Sequence, residues 1–112
     1  MELLVEQIPP TTVVRIVGSV DGLTAETLLA TLQTQLDDGN VRLVADLSGV
    51  DYTSSAGLRA LLATMKQARQ KGGDFRLAGA TTPVHRVLDL SGFTSILKVY
   101  TDVDSAVASF SS

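Results

Sequence analysis

The chain has 112 residues, of which 45% are hydrophobic and 19% charged, so a folded domain is predicted and intrinsic disorder is excluded. Its 12 acidic and 9 basic side chains give a net charge of −3, which offers no reason to expect a nucleic-acid partner. Cysteine is absent, which excludes disulfides, thiolate metal sites and a cysteine nucleophile, and a single histidine leaves little material for a metal site.

Two runs rich in β-branched and aliphatic residues open the chain and predict an antiparallel hairpin. They cover residues 3–5 and residues 12–17, and Pro9 and Pro10 lie between them. Because adjacent prolines cannot donate hydrogen bonds to a sheet, this intervening segment is predicted to be a turn. Gly18 ends the second run.

Strands and helices are predicted to alternate after the hairpin. Apolar residues recur at helical spacing in two segments, as Ala25, Leu28, Leu29, Leu32 and Leu36, and as Leu58, Leu61, Leu62, Met65 and Ala68. The other predicted elements are a strand over residues 41–45 that ends at Asp46, a strand over residues 75–78, a short helix that Pro83 opens, a strand over residues 96–100 and a terminal helix capped by Asp102.

This order predicts an α/β fold with a mixed sheet of about four to five strands, in which the N-terminal hairpin is antiparallel and the later strands are parallel. About four helices cover the sheet, and we expect one domain over residues 1–112. No run approaches the roughly 20 apolar residues of a membrane helix, and residues 1–7 do not have the basic and apolar pattern of a signal peptide. We therefore expect a cytoplasmic protein that does not insert into a membrane.

The most unusual local sequence covers residues 46–58, at the carboxyl end of a predicted strand, where functional sites of open α/β sheets gather. Three consecutive hydroxyl residues, Thr53, Ser54 and Ser55, lead directly into an amphipathic helix. In one interpretation, Ser54 or Ser55 is only the N-cap of that helix. In the other, one of these serines accepts a phosphoryl group, whose negative charge a helix N-terminus tolerates and a partner surface does not.

Three carboxylates are expected near the same end of the sheet. Asp21, Asp46 and Asp51 lie at or just beyond the ends of predicted strands, so we expect an acidic rim. Clustered carboxylates suggest Mg²⁺ and a phospho-aspartate receiver domain. A receiver needs an acidic pair after its first strand, where this chain has Glu6 and Gln7, so we predict no metal site.

Catalysis by the serines is not expected either. A hydrolase needs a general base beside its nucleophile, and the only histidine, His85, lies in the first turn of a short helix, where a solvated or packing histidine is the normal case. We therefore predict that the chain is not an enzyme and uses no cofactor.

Residues 46–52 and 55–58 resemble the pattern of the STAS domain and, within that family, of the bacterial anti-sigma factor antagonists. The family pattern is an Asp-apolar-Ser/Thr-x-Val run, then Asp and an aromatic residue, then a Ser-Ser/Thr/Ala-Gly-Leu turn that enters a helix. This chain has Asp-Leu-Ser-Gly-Val-Asp-Tyr and then Ser-Ala-Gly-Leu. The resemblance extends over nearly the whole chain, including residues 18–21, 90–93 and 99–100.

The resemblance implies a regulatory module controlled by phosphorylation of Ser55. The unphosphorylated form would bind an anti-sigma factor that is also a serine/threonine kinase of the GHKL type, and the phosphorylated form would release it. A PP2C-type phosphatase would reset the switch. Ser54 is the second choice as acceptor; the best understood members have an Asp at its position, and many have a second hydroxyl residue where Ala56 stands. The expected partner-binding residues are Asp21, Asp46, Asp51, Thr53, Ser54, Ala56 and Gly57.

One other function within the same family remains open. STAS subunits of membrane-lipid transport complexes dock on an ATPase as constitutive scaffolds and need no phosphoacceptor. The intact turn over residues 55–58 favours the switch over the scaffold.

Overall fold

The first two strands form the predicted antiparallel hairpin. In the computed structural model, which describes residues 1–111, β1 covers Glu2–Ile8 and β2 covers Thr11–Val17. Pro9 and Pro10 form the turn between them, where the ladder requires no N–H donor. β1 is the exposed edge strand, whereas β2 is largely buried between β1 and the rest of the sheet.

After the hairpin, strands and helices alternate as predicted. The elements are α1 (Gly22–Asp37), β3 (Arg42–Gly49), α2 (Ser55–Gln70), β4 (Asp74–Ala78), α3 (Thr82–Leu90), a 3-10 turn (Phe93–Ser95), β5 (Val99–Tyr100) and α4 (Val103–Ser109). The strand order is β1-β2-β3-β4-β5, antiparallel between β1 and β2 and parallel thereafter. The predicted fold class, an α/β fold built on a mixed sheet, is confirmed.

Three strands differ clearly in extent from the prediction. The strand predicted over residues 3–5 covers Glu2–Ile8. The strand predicted over residues 41–45 continues to Gly49, which pairs with Val17 of β2 beyond a register shift. The strand predicted over residues 96–100 contains only Val99–Tyr100. The reason is the preceding 3-10 turn, where the carbonyl of Phe93 accepts hydrogen bonds from the N–H groups of residues 96 and 97 and keeps them out of the sheet.

The hydrophobic core lies mainly on one face of the sheet, under α1, α2 and α3. Both predicted helical stripes face it: Leu28, Leu32 and Leu36 of α1 and Leu58, Leu61 and Met65 of α2 are buried, as the 3.6-residue spacing requires. Leu29 and Leu62, which the prediction placed in the same stripes, are only partly buried. On the opposite face, α4 packs Ala106 against Val13, Val44 and Ala78. Within residues 1–111, no helix combines the length and the apolar character needed to cross a membrane.

Asp74, at the start of β4, is a buried carboxylate that joins several elements. Its oxygens accept hydrogen bonds from Nε of Arg69 at 2.9 Å and from Nε of Arg76 at 3.1 Å. Arg69 also donates to the carbonyl of Ile96, and the guanidinium of Arg76 lies 3.9 Å from the ring centroid of Phe110. Burial raises the pKa of Asp74, but the hydrogen bonds from the two arginines outweigh burial and hold the pKa below its ordinary value of 3.8.

Candidate functional site

The loops that follow β2 and β3 are held together beyond the end of the sheet. Val20 and Thr53 form an isolated parallel bridge. In it, the N–H of Val20 donates to the carbonyl of Tyr52 at 2.9 Å, and the N–H of Ser54 donates to the carbonyl of Val20 at 2.8 Å. The side chains of Val20 and Thr53 are both buried. This bridge sets the N-terminus of α2 beside the N-terminus of α1.

The two neighbouring serines at the start of α2 have different roles. Ser54 is the N-cap, and its Oγ accepts a hydrogen bond from the N–H of Gly57 at 3.2 Å. Ser55 is the first residue of the helix and is exposed. Among residues 1–111, none is hydrogen-bonded to the hydroxyl of Ser55, so this hydroxyl is open to a partner while that of Ser54 is engaged.

Gly57 allows the first turn of α2 to lie directly on this bridge. A Cβ atom at position 57 would overlap Oγ1 of Thr53 and would lie 2.9 Å from Cγ1 of Val20. Neither atom is at the end of a long flexible side chain, so any larger residue must displace the helix or the bridge. Gly57 and Thr53 therefore position the serines, and the partly buried Ala56 packs against the core beside them.

Two of the three predicted rim carboxylates lie on the joined loops. Asp21 is the N-cap of α1, where its Oδ1 accepts from the N–H groups of Leu23 at 3.0 Å and Thr24 at 2.9 Å. Hydrogen bonds from the backbone and side chain of Thr24 lower the pKa of Asp21. Asp51 accepts a hydrogen bond from the hydroxyl of Ser19 at 2.8 Å. Both carboxylates are exposed.

The structure places Asp46 on the other face of the sheet. The side chains of Ala45 and Leu47 point into the core under α1 and α2, so alternation along β3 directs Asp46 to the face that carries α4. There its Oδ2 lies 3.9 Å from Nε of Arg15 on β2, and its Oδ1 accepts from the N–H of Ser48. Within residues 1–111, no three acidic or histidine side chains approach closely enough to hold a metal ion.

Features that the sequence analysis missed also lie around the two serines. Leu23 and Tyr52 are large apolar side chains with exposed fractions of 81% and 57%, and each lies in a loop or first helical turn at this end of the sheet. A shallow groove between α1 and α2 has small residues along its floor and Glu26 and Arg59 on its walls. The sequence contains a signal that could have identified Arg59: it lies four residues after Ser55, and residues four apart lie on the same face of a helix.

Comparison with known proteins identifies the family. The STAS domain profile matches residues 2–106. BtrV of Bordetella bronchiseptica, a proposed anti-sigma factor antagonist, is 39% identical over 110 residues, which cover 98% of this chain and 95% of BtrV. The anti-sigma F factor antagonist of Paenibacillus polymyxa is 31% identical over 93 residues, which cover 79% and 76% of the two chains. The crystal structure of an anti-sigma factor antagonist from Mycobacterium paratuberculosis superposes with a TM-score of 0.88 at 30% identity, covering 96% of this chain and 92% of that one. The chain belongs to the STAS domain family, as the residues of its central turn predicted.

Proposed function

We propose that this protein is an anti-sigma factor antagonist that acts as a phosphorylation-controlled partner switch. Unphosphorylated, it binds an anti-sigma factor that is a serine/threonine kinase of the GHKL type; phosphorylated on Ser55, it releases that kinase, and a PP2C-type phosphatase resets it. Family membership and the names of its relatives support the regulatory role. The exposed, unbonded hydroxyl of Ser55 at the start of α2 is the observation that carries the proposal.

The chain needs to supply only the acceptor for this chemistry. Oγ of Ser55 forms a bond to the γ-phosphorus of ATP held by the kinase, the bond from that phosphorus to the β–γ bridging oxygen breaks, and ADP leaves with its electron pair. The hydroxyl proton passes to a base of the kinase. Ser54 is the poorer phosphoryl acceptor because its Oγ already accepts a hydrogen bond from the N–H of Gly57. The phosphoryl dianion on Ser55 lies at a helix N-terminus, where the helix dipole favours negative charge.

We place the partner surface over the joined starts of α1 and α2. It is centred on Thr53, Ser54, Ser55, Ala56 and Gly57, with Asp21 and Asp51 at its rim, whereas Asp46 faces the opposite side of the sheet. Phosphorylation adds roughly two negative charges to a surface that already carries two carboxylates. The partner must then desolvate a charge that it is not built to neutralise, so affinity falls without a change of fold.

Phosphorylation of Ser55 is expected to weaken binding to the cognate kinase about a hundredfold, since each ~1.4 kcal/mol of lost interaction is a factor of ten. Titration of the kinase with the unmodified and the phosphorylated chain measures the ratio, and phosphopeptide mapping locates the phosphoryl group. Ser55→Ala should remain bound in the presence of ATP, and Ser54→Ala, the matched control, should still be released. A phosphoryl group found on Ser54 or Thr53 would move the site, and undiminished binding of the phosphorylated chain would favour the scaffold function.

The acidic rim is expected to contribute through long-range attraction. Asp21→Asn keeps an N-capping side chain but removes the charge, so we expect kinase affinity to fall by up to about fivefold at low ionic strength and by less at high salt. Asp102→Asn is the matched control, because Asp102 caps α4 in the same way on the other face of the sheet. Surface plasmon resonance at several salt concentrations measures both variants. Equal losses for the two variants would contradict a partner surface at Asp21.

A further inference from the structure

Arg59 lies one helical turn after Ser55 on the exposed side of α2. Residues four apart on a helix have Cβ atoms about 5–6 Å from each other, on the same face. Side chains on a helix tilt toward its N-terminus, so a long side chain at position 59 is able to turn back toward position 55. An arginine at this position reaches an oxygen attached to Oγ of Ser55 without any movement of the backbone.

The guanidinium of Arg59 is available for such a contact. Arg15, Arg69 and Arg76 each lie within 4.0 Å of an aspartate oxygen, but in the part of the chain that the structure describes the side chain of Arg59 has neither an ion pair nor a hydrogen bond. Glu26 stands on the facing wall of the groove between α1 and α2 without pairing with it. The guanidinium of Arg59 is therefore free to form an ion pair with a group attached to Ser55, the proposed phosphoacceptor.

The first turn of α2 also has unpaired backbone N–H groups that can donate hydrogen bonds to a phosphoryl group on Ser55. Ser54 occupies the N–H of Gly57 with its Oγ and the N–H of Leu58 with its carbonyl. Within residues 1–111, the N–H groups of Ser55 and Ala56 have no acceptor. A phosphoryl group on Ser55 thus meets unpaired amides on one side and the planar fork of a guanidinium on the other, the combination that binds phosphate oxygens in proteins.

We propose that Arg59 binds the phosphoryl group of phosphorylated Ser55 through two hydrogen bonds from its guanidinium. The proposal rests on the proposed function only in taking Ser55 as the modified residue. In the unphosphorylated form Arg59 remains on the wall of the groove, where a partner can use it. In the phosphorylated form the same cation is held at Ser55, so phosphorylation changes both the charge at the serine and the groove beside it.

The second pKa of the phosphoryl group reports this contact. Asp21 and Asp51 on the adjoining loops and Glu26 on α1 are the acidic groups on the elements next to the start of α2, and their negative charge raises that pKa, whereas a bound guanidinium lowers it. The test uses the full chain with phosphoserine installed at position 55 during translation, so that no kinase is needed. Phosphorus NMR follows the titration from pH 4 to pH 8, across the ordinary second pKa of about 6.

Arg59→Gln is expected to raise the second pKa by about 0.2–0.4 pH unit, and Arg59→Lys by less, because lysine keeps the charge but loses the fork. Lys66→Gln is the matched control: it removes one positive charge from the same helix, but about 16 Å along the axis from position 55, beyond the Debye length of about 8 Å. We expect Lys66→Gln to leave the pKa unchanged. In the unsubstituted chain, the Nε–H resonance of Arg59 should shift when Ser55 carries the phosphoryl group.

The proposal would be overturned if the Arg59→Gln and Lys66→Gln chains had equal second pKa values. It would also be overturned if the Nε–H resonance of Arg59 did not shift when Ser55 carries the phosphoryl group. Because Arg59 is exposed, both variants should retain the amide spectrum of the parent chain, and the Nε–H measurement requires no substitution at all. Failure of the kinase to modify Ser55 would refute the proposed function and leave this measurement unaffected. The two proposals therefore fail separately.

Discussion

Asp74→Ala is expected to lower the free energy of unfolding by about 3–5 kcal/mol, the range for removing one partner of a buried ion pair. The substitution leaves the guanidinium of Arg76, whose side chain is only 12% exposed, without its carboxylate. It also removes the acceptor for Nε of Arg69 and so loosens the contact between α2 and β4. Urea unfolding followed by circular dichroism measures the change.

Arg69→Ala is the matched control for this network. The side chain of Arg69 is 41% exposed, so water replaces much of what the substitution removes, and we expect a loss of about 1 kcal/mol or less. A loss for Asp74→Ala no larger than that for Arg69→Ala would show that the carboxylate is solvated and that the network contributes little.

The same carboxylate predicts a stability loss in acid. Its pKa is lower in the folded chain than the ordinary value of 3.8, so the unfolded chain binds more protons in this range and stability rises with pH. The contribution is present above about pH 4 and is lost as the pH falls through the folded-state pKa. Asp21 and Asp102, whose pKa values are lowered by N-cap hydrogen bonds, act in the same window. Asp74→Asn should flatten the dependence of stability on pH below 4, and an unchanged slope would contradict this assignment.

Leu32→Ala is expected to lower the free energy of unfolding by about 2–5 kcal/mol, because the side chain is fully buried between α1 and the sheet and alanine leaves a cavity. Leu61→Ala in α2 should have an effect of the same size, since Leu61 is 3% exposed. Urea midpoints measured for both variants test whether the two apolar stripes face the same core.

Leu23→Ala is the matched control, with the same substitution in the same helix. Leu23 is 81% exposed, so its removal is expected to change stability by no more than about 0.5 kcal/mol. If Leu23→Ala and Leu32→Ala shift the urea midpoint equally, the orientation of α1 on the sheet is wrong.

The order of the strands and α-helices and the buried faces of α1 and α2 followed from the sequence because those signals are local. The spacing of Leu28, Leu32 and Leu36 defines a helical face without reference to any other segment. Pro9 and Pro10 define a turn by the donors that they lack. The alternation of strands and helices then left few topologies to consider, and the parallel arrangement after the hairpin is the one observed. The family followed from a contiguous motif over residues 46–58, which is also local information.

Only the tertiary structure shows which of Ser54 and Ser55 caps α2. Both are good N-caps by composition, and which of them caps the helix depends on where α2 begins. That start is set by the bridge between Val20 and Thr53, which are more than 30 positions apart in the chain. The close approach of Gly57 to the same bridge is likewise invisible in the sequence.

The placement of Asp46 was also decided only by the tertiary structure. Asp46 and Asp51 belong to the same motif, but the continuation of β3 to Gly49 keeps Asp46 inside a strand. Strand alternation then turns its side chain to the face of Arg15. A sequence specifies spacing along the chain, whereas the grouping of side chains on a surface depends on register between strands and on where each strand ends, and long-range pairing determines both.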